Sequence, residues 1–155
     1  MNKGIYAIVA ETHQLLDQYI EIHDELIASP KGIIAILKKI FKPIKFCSYS
    51  QGLNAIYMVL SARLLELEVM DNHSLSENEF QLKQILIQYI LDLREAVEKL
   101  IKINQNSEKW MDGKTYSIWA YKRDLKEYQV LIDSYSATGL RLNQILKGQE
   151  KKIWK

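Results

Sequence analysis

The feature that most constrains this chain is the spacing of its apolar residues. An α-helix returns to one face after three or four residues, so apolar side chains recurring at 3-4-3-4 intervals mark a helix with a buried stripe, the seam of a bundle. Four stretches carry that spacing. The first predicted helix runs from about Gly4 to Ala28, with Ile5, Ile8, Thr12, Leu15, Tyr19, Ile22 and Leu26 on its seam. Ser29-Pro30 ends it, because a residue before proline avoids helical geometry. The second runs from about Ser50 to Met70 through Leu53, Ile56, Leu60, Arg63 or Leu64, Leu67 and Met70, with Ser50 as the expected N-cap.

The third predicted helix runs from about Glu77 to Asn104, along Leu82, Leu86, Tyr89, Leu93, Ala96, Leu100 and Ile103. Ser76 followed by Glu79 forms a capping-box pattern at its start. Ile85, Ile90 and Val97 widen its stripe enough to touch two neighbours. The fourth runs from about Lys114 to Leu146, along Ile118, Tyr121, Leu125, Tyr128, Ile132, Tyr135, Gly139, Leu142 and Leu146. Asp112-Gly113 is the turn before it, and Gly139 on the seam predicts a close approach or a kink. Two prolines and six glycines leave little room for turn-rich β architecture. The expected fold is therefore all-α: one domain over residues 1–155, an up-down antiparallel four-helix bundle. The longer third and fourth helices predict a hairpin tip that projects beyond the first two.

Residues 29–49 form a long connection for a bundle. They read as a short extra amphipathic helix, with Lys31, Lys38, Lys42 and Lys45 on one face and Ile33, Ile36, Leu37, Ile40 and Phe41 opposite. The first reading is a lid over the open end of the bundle, received by Trp110, Tyr116 and Trp119. The alternatives are a protein-partner surface or an anionic membrane, whose headgroups would attract the lysines. The candidate contact residues are Lys31, Lys38, Lys39, Phe41 and Lys42, with Trp154 from a basic tail at residues 148–155 that is expected to fray.

The search for chemistry is less productive. No P-loop, GxGxxG, GxSxG or HExxH motif occurs. The residues three before the histidines are Ala10, Ile20 and Met70, so the Glu-x-x-His pairs of a di-iron bundle are missing. His13, His23 and His73 read as surface residues, and Cys47 as an inert thiol. Of the fourth-helix tyrosines Tyr116, Tyr121, Tyr128 and Tyr135, the last three fall on the seam, so the set reads as core rather than as a base-stacking platform. A net charge of +2 from 21 basic and 19 acidic side chains argues against a nucleic-acid partner. The first helix has an acidic face of Glu11, Asp17, Glu21, Asp24 and Glu25.

A single cysteine, and an N-terminal apolar stretch broken at Glu11 and His13, read as a cytoplasmic protein without a secretory signal. The expectation is a non-enzymatic protein-binding or regulatory bundle without cofactor, acting on another protein or as a homodimer. The alternative is a peripheral membrane protein that uses residues 31–45.

Overall fold

The computed structural model describes residues 4–28, 46–111 and 116–153. Among them the chain forms four α-helices and no strand. α1 spans Ile5–His23 and continues into a π-helical turn at Asp24–Ala28. α2 spans Phe46–Val69, α3 spans Glu77–Met111 and α4 spans Ile118–Ile153. A 3-10 turn at Asn72–Ser74 joins α2 to α3.

The helix ends follow from local chemistry. At the start of α3, Ser76 and Glu79 satisfy each other: the Glu79 N–H donates to Ser76 Oγ at 3.3 Å, and the Ser76 N–H donates to Glu79 Oε2 at 2.9 Å. Those hydrogen bonds, led by the one from the Ser76 N–H, hold the Glu79 carboxyl below its usual range. Ser117 caps α4, accepting from the Ala120 N–H at 3.1 Å. The end of α2 is closed by a buried lysine: Lys83 Nζ donates to the Met70 carbonyl at 2.8 Å and to Asn72 Oδ1 at 2.7 Å. A cation at a helix C-terminus satisfies a free carbonyl and opposes the negative end of the helix dipole.

Cross-helix partners show the topology. Glu11 meets Arg63, so the start of α1 lies beside the later part of α2. Asn104 Nδ2 donates to the Phe46 carbonyl at 2.9 Å, so the start of α2 lies beside the later part of α3. Asp92 meets Thr138, and Asn78 meets Gln149, so α4 runs back along α3. Each consecutive pair is antiparallel, as expected. α3 is the central element and packs on α1, α2 and α4. Its Leu82, Leu86, Ile90, Leu93 and Leu100 are fully buried, beside Leu53, Leu60 and Leu67 of α2 and Ile8 of α1. Burying each such side chain stabilises the fold by about 1.5–3 kcal/mol. Gly139 lets Tyr89 approach, since a Cβ there would stand 3.1 Å from the Tyr89 ring.

Several boundaries differ from expectation. α2 already includes Phe46, so Ser50 is inside the helix rather than its N-cap. The Ser50 hydroxyl instead accepts from Asn104 Nδ2 at 2.8 Å. α3 continues past Asn104 to Met111, and Asn104 and Ser107 in that stretch are buried despite their polarity. α4 continues past Leu146, and residues 148–153 of the expected frayed tail are helical. Gln149 helps to hold that end, donating to the Asn78 carbonyl at 3.1 Å and accepting from the Tyr6 hydroxyl at 2.9 Å. Leu64, not Arg63, occupies the α2 seam. Asn104 is level with Phe46, and the hairpin tip expected to project, at residues 112–115, lies outside the described residues.

Candidate functional site

Two surfaces depart from a plain bundle. The first is the seam between α1 and α4. The closest helix pairings do not include this one, and the two helices meet through long side chains. Tyr19 and Tyr128, both buried, share a short hydrogen bond between their hydroxyls. His23 Nδ1 lies 2.8 Å from the Tyr128 hydroxyl. The Tyr135 ring stands edge-on to Tyr19 at 6.0 Å. One proton assignment satisfies the chain: Tyr19 donates to Tyr128, and Tyr128 donates to a neutral His23.

The electrostatics agree with that assignment. Burial pushes the Tyr19 and Tyr128 hydroxyls above the usual phenol range, so both stay protonated and serve as hydrogen-bond donors. Burial lowers the His23 imidazole, outweighing the nearby Asp24 carboxylate. Two residues on, the Tyr49 hydroxyl donates to Glu25 in the π-helical turn. Burial first, and then that carboxylate, push Tyr49 up to about 12. His23 is thus not the surface histidine expected from its off-seam position. A partner on α4 draws it inward.

A second polar cluster joins α3 to α4. Lys99 Nζ lies 3.0 Å from Asp124 Oδ1 and also contacts Glu127, while the Tyr116 hydroxyl donates to Asp124 Oδ2 at 2.6 Å. Burial opposes the Asp124 carboxylate, but Tyr116 and Lys99 outweigh it and hold its pKa below the ordinary range. Tyr121 packs between Trp110 and Tyr116, at ring distances of 6.4 and 6.3 Å. Each charge in this cluster is compensated by a neighbour, so its effect is to fasten two helices.

The other surface is the outer face of α2. Ala55, Met58, Ala62, Leu65 and Val69 are all exposed, the three larger ones by 69%, 61% and 74%. Their spacing is again 3-4-3-4. At 3.6 residues per turn they occupy an arc about 80° wide, roughly opposite the buried face of Leu53, Ile56, Leu60, Leu64 and Leu67. α2 is therefore apolar on two opposed faces. Polar groups border the outer one. On the α1 side, Arg63 bridges Glu11 and Glu66 at 2.6 Å each. On the α3 side, Arg94 Nη1 lies 3.5 Å from Ser61 Oγ, and its guanidinium sits 5.8 Å from the Tyr57 ring centre. Asn54 and Glu68 are exposed along the same margin.

The contact residues predicted from sequence, Lys31, Lys38, Lys39, Phe41, Lys42 and Trp154, lie outside the described residues. So does the extra amphipathic helix on which the lid and membrane readings rest. Of the expected lid receivers, Trp110 and Tyr116 are half-buried, whereas Trp119 is exposed and carries Lys122 Nζ 5.5 Å from its ring. Cys47 is exposed. The fourth-helix tyrosines Tyr121 and Tyr128 are core, as expected. The α2 stripe was missed, although its signal is plain in the sequence: the same spacing that located the core, offset to the opposite face.

Among the described residues no cluster of three or more His, Cys, Asp or Glu side chains is placed to hold a metal ion. None of their helices is long and apolar enough to cross a membrane. Comparison with protein-family models, with curated proteins and with solved structures finds no match to this chain.

Proposed function

We propose that the protein is a non-enzymatic binding or regulatory bundle that works in the cytoplasm by docking another polypeptide. The observation that carries this reading is the exposed apolar stripe of α2 inside its polar border. Single exposed apolar residues are ordinary on any protein. Five in register along one helix, with polar residues on both sides, have the layout of an interface, an apolar centre within a polar rim. A 3-4 spaced stripe accepts the knobs of another helix, so a helical partner fits it best. An anionic membrane fits it poorly. The one basic residue of α2, Arg63, is engaged by Glu11 and Glu66, and Glu66 and Glu68 border the stripe.

The test is charge placed on the stripe, Met58→Glu with Leu65→Glu. If α2 presents a binding face, nothing within the chain covers it, and the melting temperature moves by no more than about 4 °C. A photo-crosslinking residue at Leu65, expressed in cells, then gives discrete protein adducts, and the same residue at exposed Asp133 gives none. A large loss of stability would show the stripe to be internal packing, and absence of adducts would remove the binding reading.

A further inference from the structure

We infer that the occupant of the α2 stripe is a second copy of this chain, with the two α2 helices antiparallel across a two-fold axis. This rests on the reading of the stripe as a binding face, and adds the identity and geometry of the partner. The first argument is size. Along the stripe, small and large residues alternate as Ala55, Met58, Ala62 and Leu65. With the axis near residue 60, Ala55 faces Leu65 of the second copy and Met58 faces its Ala62. The same pairs recur on the other side of the axis. Each of these layers then holds one small and one large side chain, the arrangement that fills an interhelical space evenly. A parallel pairing in register would set alanine on alanine and methionine on methionine, leaving gaps between crowded layers.

The second argument is charge. From Phe46 to Ala62, α2 carries no charged side chain, and Arg63, Glu66 and Glu68 all lie in its last two turns. Antiparallel pairing sets each charged half against a neutral half. Glu68 falls beside Asn54 of the second copy, whose side-chain amide can donate to it, and Glu66 falls beside Gly52. Parallel pairing would gather the carboxylates of both copies at one end, where like charges repel. The third argument is symmetry. A face that complements itself in this way forms a closed two-fold pair and leaves no edge for further growth. The stripe is about 21 Å long, which puts the seam toward the small end of specific interfaces, so the dimer exchanges with monomer as concentration changes.

The experiment has two arms. Sedimentation of the purified full chain over a wide concentration range is expected to show a monomer–dimer equilibrium. Leu65→Glu, and independently Ala62→Glu, should shift it to monomer with the helical circular dichroism unchanged. A chain that stays monomeric throughout overturns the inference, and the cellular adducts at Leu65 then still decide whether the stripe binds something else. The second arm uses Cys47→Ser as background and mild oxidation. A mixture of the Met58→Cys and Ala62→Cys variants should cross-link, while each variant alone should not. Cross-linking of each variant by itself would mean a parallel pair and overturn the antiparallel geometry.

Discussion

The outer face of α2 and the seam between α1 and α4 invert the usual arrangement of a bundle in opposite senses. On α2, apolar side chains occupy positions open to solvent. Between α1 and α4, hydroxyls and an imidazole occupy positions turned inward. The two departures differ in kind. The inward polar groups satisfy one another, so the seam closes on itself and needs nothing outside it. The outward apolar groups have no such resolution within the described residues, because an apolar side chain can be satisfied only by being covered. Polar departures of this sort bring neighbouring helices into register, and apolar ones leave a face that burial would stabilise.

That contrast is most easily broken on α2 itself. Leu60 and Leu65 are the same residue type on one helix, one fully buried and one exposed. Leu60→Ala is expected to cost about 2–5 kcal/mol through lost burial and the cavity left behind. Leu65→Ala should change stability by less than about 0.5 kcal/mol. Urea unfolding of both variants at low protein concentration checks this, and comparable losses would mean that the two faces are equally covered.

The inward polar groups can be sharpened in the same way by comparing two buried tyrosines. The Tyr128 hydroxyl joins Tyr19 to His23, whereas the buried Tyr121 hydroxyl has no hydrogen-bond partner among the described residues. Tyr128→Phe should cost about 1–2 kcal/mol, because it strands a donor and an acceptor. Tyr121→Phe should be neutral or slightly stabilising, because it removes a buried group that bonds nothing. Thermal melts of the two variants give the comparison directly, and a larger loss at Tyr121 would contradict it.

The smallest expected effect is on pH dependence. Burial holds His23 below its ordinary value of 6.5, so the unfolded chain binds the proton more readily than the folded one. Its contribution to stability is complete above about pH 6.5 and is lost as pH falls through the folded pKa. In His23→Gln, the difference from the parent chain should therefore narrow on acidification. A difference that stays constant from neutral to acid pH would show that His23 is not held neutral in the fold.

Much of this was legible in the residues. The seams of Ile8, Leu60, Leu93 and Tyr128, the Ser76–Glu79 capping box and the small residue at Gly139 follow from spacing and local hydrogen-bond chemistry. Long-range pairing was not legible. Nothing local to Ser50 says that Asn104 will take its hydroxyl, and nothing local to His23 says that Tyr128 will draw it inward. Lys83 looks like any surface lysine until the end of α2 arrives beside it. The candidate contacts on residues 31–45 lie outside the described residues, and the stripe that replaces them as the leading surface was overlooked because its pattern duplicates that of the core.

The sequence by itself determined that the chain is helical, where the four helices lie to within about two turns at their ends, and which stripe of each can form a core. Those properties depend on residues three and four apart, which a helix brings together whatever else happens. Only the tertiary structure decided that the second apolar face of α2 is left uncovered by the other described helices. Both faces have the same period, but the inner one carries large side chains throughout and the outer one includes Ala55 and Ala62, so spacing and size select the core face without saying what lies over the other. That depends on where the neighbouring helices come to rest: the Arg63–Glu11 and Arg94–Ser61 contacts at the margins of α2, and the packed face of α3 against Leu53, Leu60 and Leu67.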